Sequence, residues 1–195
     1  MSVLRYISHP AVNIDPDVPV PDWGLSPEGQ LQAEAMLEQP WVASITRIIS
    51  SSERKALEAA EVLANYLELE VEIRPETGET DRSSTGYVSD KRHEALADQF
   101  FASPTESAEG WETALDAQLR MVDALRDLIR RPPRNETRLG DVAVIGHGGV
   151  GTLLMTHLAG LETSREHDQP GAGHYWSLNR RTGDVLHHWL PIVPV

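Results

Sequence analysis

The chain contains no cysteine, which excludes disulfide frameworks and thiolate metal sites. Lysine is almost missing as well. Lys55 and Lys91 are the only two, and the formal net charge is −13. No broad basic field is available to displace counterions from a phosphate backbone, so nucleic acid is not an expected partner. No apolar run is long enough to span a bilayer, so no membrane association is expected. The first ten residues lack the basic-then-apolar layout of a secretory leader, which makes the cytoplasm the expected location. Internal repeats and low-complexity tracts are also lacking.

What remains is ample for a folded body. With 195 residues, 40% of them hydrophobic, one domain spanning 1–195 can bury a sizeable core. The positive charge is nearly all arginine, which suits bidentate recognition of phosphate or carboxylate. Compositional bias accounts for most of these arginines. An anionic substrate would need a local positive pocket inside an acidic shell.

Strand-like runs at 3–7, 45–49, 69–73 and 142–146 alternate with helical patterns at 27–38, 52–67, 92–102, 109–131 and 149–159. Ser26-Pro27 reads as an N-cap followed by proline at the first helical position, with Leu31, Ala35 and Met36 facing inward. Ser51 or Ser52 is expected to cap the next helix. The Pro-rich segment 10–25 and the irregular segment 75–90 are loops, and 132–141 is a charged surface loop. Residues 173–179 and 184–190 read as a hairpin. Strand–helix alternation with long crossovers predicts an α/β three-layer sandwich, with a mainly parallel (mixed) central sheet and helices on both faces.

The most informative stretch is Val142-Ala143-Val144-Ile145-Gly146-His147-Gly148-Gly149. A buried strand ends in a glycine-flanked histidine and a helix starts at once, which places His147 beside free backbone N–H groups where anions bind. His9 ends another short strand, and Pro10 keeps it extended. Arg54 follows a strand and three serines in the first turn of a helix. Such an arginine is either an exposed side chain or, with hydroxyls and helix N–H groups nearby, a phosphate ligand. Glu79 lies in a Gly/Thr-rich loop. A loop carboxylate is usually only solvated, but beside two histidines it could act as a general acid.

Four segments in order resemble the histidine phosphatase (phosphoglycerate mutase-like) superfamily. They are the N-terminal strand-end His9; Leu25-Ser26-Pro27-Glu28-Gly29-Gln30-Leu31-Gln32-Ala33, similar to Leu-Thr-x-x-Gly-x-x-Gln-Ala; Ser51-Ser52-Glu53-Arg54-Lys55-Ala56, similar to Ser-Ser-x-x-x-Arg-Ala with the basic residues shifted; and Gly146-His147-Gly148-Gly149, preceded by the acidic loop. The resemblance implies a metal-independent, cofactor-free phosphatase acting on a small phosphomonoester or a phosphoprotein. His9 would be the nucleophile, Arg54 and His147 would bind the phosphoryl oxygens, and Glu79, preferred over Glu76, would be the general acid. Ser8, Arg82 and Gly148 are the expected substrate contacts.

The chain departs from the family's Arg-His-Gly, having Ser8-His9-Pro10. The missing arginine removes a phosphate clamp that Arg82, or less well Arg5, could replace. A non-catalytic phosphoryl-binding or interaction module derived from this family is the alternative. A phosphomutase is disfavoured because it needs binding insertions for which the chain has little room. His174, His187 and His188 are read as strand histidines and not as a metal cluster, since adjacent strand residues point to opposite faces. The apolar segment 189–195 either covers a sheet edge or forms the contact of a homodimer.

Overall fold

The computed structural model describes residues 2–129 and 140–194. Six strands form one sheet: β1 (Val3–Ser8), β2 (Ile45–Ser50), β3 (Val71–Ile73), β4 (Asp141–Gly146), β5 (His174–Asn179) and β6 (Val185–Pro191), in the spatial order β3-β2-β4-β1-β5-β6. The first four run parallel, and β5 and β6 close one side antiparallel. The helices are α1 (Pro27–Met36), α2 (Arg54–Leu67), α3 (Asp90–Ala102), α4 (Ala114–Ala124), α5 (Arg126–Ile129) and α6 (Gly148–Ala159). The α/β class and mixed sheet expected from the sequence are present.

Strand alternation sorts the core into two layers. Ile7, Ile48, Ala143 and Ile145 pack under α1 and α2 with Ala33, Met36, Ala56, Ala60 and Leu63. Leu4, Tyr6, Ile49, Val142 and Val144 face the other way, toward Phe100, Phe101, Met121, Leu153 and Leu154. All six residues of β4 are buried, as a central strand covered on both faces requires.

Three local expectations are corrected. In α1 the buried residues are Gly29, Ala33 and Met36, while Leu31 is 66% exposed. Gly29 fixes that rotation, because a Cβ there would lie 1.9 Å from the Ala11 carbonyl oxygen. The Ser26 cap holds, its hydroxyl accepting from Gly29 N at 3.0 Å, a contact worth ~1 kcal/mol. The expected helix 109–131 is broken at both ends. Glu109 and Gly110 have φ of 51° and 86°, so the chain turns there, and Thr113 caps a later start by accepting from Asp116 N at 3.1 Å. Leu125 then separates α4 from the short α5. The rest of that pattern, and nearly all of the loop read at 132–141, lie outside the described residues. Neither Ser51 nor Ser52 is the N-cap of α2. Glu53 holds that position without a side-chain cap bond.

Candidate active site

The topology brings the two strand-end histidines together. β1 and β4 are parallel neighbours in the register Ser8↔Gly146, so the residue after each strand emerges at the same carboxyl edge. His9 N donates to the Gly146 carbonyl at 2.9 Å, which extends the ladder by one bond. The two rings meet edge to face with centroids 5.3 Å apart. β2 runs on the other side of β4, so Ser51, one residue past its end, reaches the same place.

Each ring is held by a different nitrogen. His9 Nδ1 lies 2.8 Å from the Pro10 carbonyl oxygen. A carbonyl only accepts, so Nδ1 carries the proton and Nε2 of the neutral ring keeps its lone pair. Burial, helped by the His147 ring and the Lys55 charge, lowers the His9 pKa to about 3. His147 is fully buried, and its Nε2 lies 2.7 Å from Ser51 Oγ and 3.4 Å from Glu53 Oε1. Its Nδ1 is buried without a partner among the described residues. Burial also lowers the His147 pKa, while Glu53 and Glu79 pull it up.

The backbone of His147 is pinned by Tyr6. The buried phenol accepts from His147 N and donates to His147 O, both at 3.0 Å, and its ring stacks on Trp176. A Cβ on Gly146 would lie 2.3 Å from that hydroxyl, so the glycine before His147 is needed for this close approach.

Glu79 joins the histidines and Glu76 does not. Glu79 Oε1 accepts from Val150 N at 3.2 Å and Thr80 N at 2.9 Å, and Oε2 accepts from Gly149 N at 3.3 Å. The carboxylate therefore sits on the free N–H groups that start α6. Burial opposes its charge, but His147, Arg82, the Thr80 N–H and His9 outweigh that and bring its pKa to about 2. Glu76 is exposed, and its carbonyl accepts from Arg120. Arg120, paired with Glu112, also donates to the carbonyls of Gly78 and Glu79 and so clamps the acid loop from α4.

Three expected contacts are not in the site. Arg54 points outward, 65% exposed, and pairs with Glu58 at 2.7 Å. It shares the outer face of α2 with Glu61 and Asn65, whereas Lys55 lies on the inner face and is 3% exposed. Ser8 is buried against β5, accepting from His174 N at 3.1 Å and donating to His174 O at 3.2 Å. Arg5 is ion-paired with Asp141 at 2.6 Å, at the opposite end of the parallel strands. Arg82 and Gly148 are where expected: both line a cavity of about 460 Å³ that also contains His9, Glu79, His93 and Trp111. The Arg82 guanidinium lies 5.4 Å above the Trp111 ring and against His93 Nε2. Segments 16–21 and 79–87 line a second cavity of about 530 Å³.

Residues 17–184 match the family described as histidine phosphatase superfamily (branch 1), a match that begins after Ser8-His9-Pro10. The chain belongs to this superfamily. Among solved structures it resembles a mycobacterial glucosyl-3-phosphoglycerate phosphatase complexed with inorganic phosphate, with a TM-score of 0.80, 18% identity and 100% of each chain covered. It also resembles two structures of phosphoserine phosphatase from Entamoeba histolytica. One is a mutant in complex with phosphoserine, with a TM-score of 0.76, 18% identity and 96% of each chain covered. The other is in complex with 3-phosphoglyceric acid, with a TM-score of 0.76, 18% identity, and 97% of this chain and 98% of that chain covered. No curated protein gives a significant match.

This member of the superfamily also carries a buried charge pair that was not expected from the sequence. Lys55 Nζ pairs with Glu53 Oε2 and donates to the Val20 carbonyl at 3.0 Å. Glu53 Oε1 accepts from Glu79 N at 2.7 Å, so one carboxylate touches Lys55, the acid loop and the edge of His147. Helical spacing contained part of this signal. Lys55 shares a face with the buried Ala59 and Leu63, while 54 shares one with Glu58 and Glu61.

Proposed function

We propose that the protein hydrolyses a phosphomonoester through a phosphohistidine on His9. The observation that carries this reading is the complementary use of nitrogens in the facing pair. His9 is anchored through Nδ1 with Nε2 free, and His147 is anchored through Nε2 with Nδ1 free.

The Nε2 lone pair of His9 attacks phosphorus. A P–N bond forms and the P–O bond to the leaving alcohol breaks. Ser51 Oγ accepts from Glu53 N, which leaves its hydroxyl proton for His147 Nε2. His147 then offers Nδ1–H to a phosphoryl oxygen. Arg82 supplies positive charge where Arg54 does not, and the Lys55 charge disfavours protonation of the nucleophile. Glu79 is ionised in the free site. A phosphoryl dianion beside it opposes its charge and favours proton uptake, which arms it to protonate the leaving oxygen. In the second step Glu79 takes a proton from water, the hydroxide oxygen bonds to phosphorus, and the P–N electron pair returns to His9.

Incubation with p-nitrophenyl phosphate tests this. Wild type is expected to release nitrophenolate and to yield an acid-labile, base-stable phosphoryl adduct on His9. His9→Ala is expected to lose both, turnover falling by at least about a thousandfold. An adduct that persists in the variant overturns the assignment of His9. Phosphate binding without turnover, across a broad phosphomonoester panel, would make the chain a binding module instead.

A further inference from the structure

The cavity that contains both His9 and Glu79 has a second wall that the phosphoryl chemistry leaves unused. It is formed by one side of α3 and the segment 165–172, including Glu94, Phe101, Arg165, Asp168 and Gln169. Arg165 is the cation of this wall, and each of its nitrogens faces a carboxylate. Nη2 lies 2.7 Å from Glu94, Nη1 3.3 Å from Asp98 and Nε 3.4 Å from Asp168. Three carboxylates thus surround one guanidinium and give this wall a net negative charge, although Nη1 makes no hydrogen bond among the described residues. The other cation of the cavity, Arg82, belongs to the phosphoryl end, where it acts on the charge of Glu79.

Two further acceptors belong to this wall. Asp168 Oδ1 takes the Thr152 hydroxyl at 3.1 Å and Gln169 N at 2.8 Å. Burial raises the Asp168 pKa above its usual range, so a second anion nearby would strain it further and a donor would relieve it. Gln169 packs over Gly148, where a Cβ would lie 2.1 Å from its Nε2. Its Oε1 is buried with no partner among the described residues. An unmet buried acceptor calls for a donor.

We infer that the leaving alcohol carries hydrogen-bond donors, either hydroxyls or an ammonium, and no carboxylate. This rests on the phosphatase reading. It sets the chain apart from the structural neighbours solved with phosphoserine and with 3-phosphoglyceric acid, ligands that carry a carboxylate.

Two matched pairs test it, each differing at one group: glycerol 3-phosphate against 3-phosphoglycerate, and phosphoethanolamine against phosphoserine. The member without the carboxylate is expected to have the higher kcat/KM in each pair, by about tenfold. Between the two favoured esters, a higher kcat/KM for glycerol 3-phosphate identifies hydroxyls as the recognised donors, and for phosphoethanolamine an ammonium. Asp168→Asn and, independently, Glu94→Gln on the exposed side of α3 are expected to narrow both ratios. The internal ratio separates this effect from a general loss of activity. Equal or better turnover of the acids by wild type overturns the inference while leaving the phosphatase reading intact. If nothing is turned over, including p-nitrophenyl phosphate, the phosphatase reading fails on its own. The same order is then expected in calorimetric binding of the four esters, and the reverse order overturns the inference.

Discussion

His9 and His147 stand at the ends of adjacent parallel strands, each just past a buried apolar run, yet the two segments hold their rings in opposite ways. After β1 the chain continues through Pro10, whose carbonyl turns back to fix Nδ1. After β4 it enters α6, so no local carbonyl is offered, and the Ser51 hydroxyl fixes Nε2 from the next strand over. Strand-end placement therefore makes a histidine available, and its neighbours decide which nitrogen is left to react. Under the proposed mechanism the locally anchored ring attacks through Nε2, and the remotely anchored, fully buried ring beside a helix start holds charge.

Three measurements break or sharpen this contrast. The largest effect is expected from His147→Ala, which removes the charge-holding ring. Its kcat/KM on p-nitrophenyl phosphate should fall by about 10²–10³-fold, while the His9 adduct still forms slowly. A fall as complete as that of His9→Ala would erase the distinction of roles. Next is the pH dependence of stability. The native His9 pKa is near 3 against an ordinary value of 6.5, so between these values the unfolded chain binds a proton that the native state refuses. Stability should therefore drop as pH falls through that window. His9→Gln should remove about 2 kcal/mol of that drop, a figure discounted for the partial exposure of the ring. Urea melts at pH 7 and pH 4 read it, and an unchanged drop would mean that His9 titrates normally. The smallest effect is expected from Ser51→Ala. Loss of the Nε2 anchor should cost about tenfold in kcat with little change in KM. A larger change in KM than in kcat would make Ser51 a substrate contact and not an anchor for His147.

The fold was legible wherever one signal dominated. The run 142–146 could only be a covered strand, and Ser26-Pro27 could only open a helix. The misreadings have physical causes. The apolar periodicity at 109–131 continues through a turn that Glu109 and Gly110 make in left-handed backbone. Leu31 looked like a core residue, but the close approach of Ala11 turns Gly29 inward and Leu31 out. Arg54 was singled out for its charge chemistry, although the periodicity of α2 puts position 55 and not 54 on the buried face. Ser8 ends a strand whose side chains alternate, so its hydroxyl faces β5 and not the catalytic cavity.

The sequence alone determined the kinds of groups and their local settings: two strand-end histidines, a glycine-flanked helix start and an acid in an irregular loop. These are short-range properties, written in neighbouring residues. Only the tertiary structure decided that β4 lies between β1 and β2, which sets His9, His147 and Ser51 side by side across more than a hundred residues. It also decided which nitrogen of each ring is engaged, and that the cation of the far wall faces three carboxylates. Each of these depends on partners distant in the chain, and such pairing follows from strand order and packing, which local pattern does not contain.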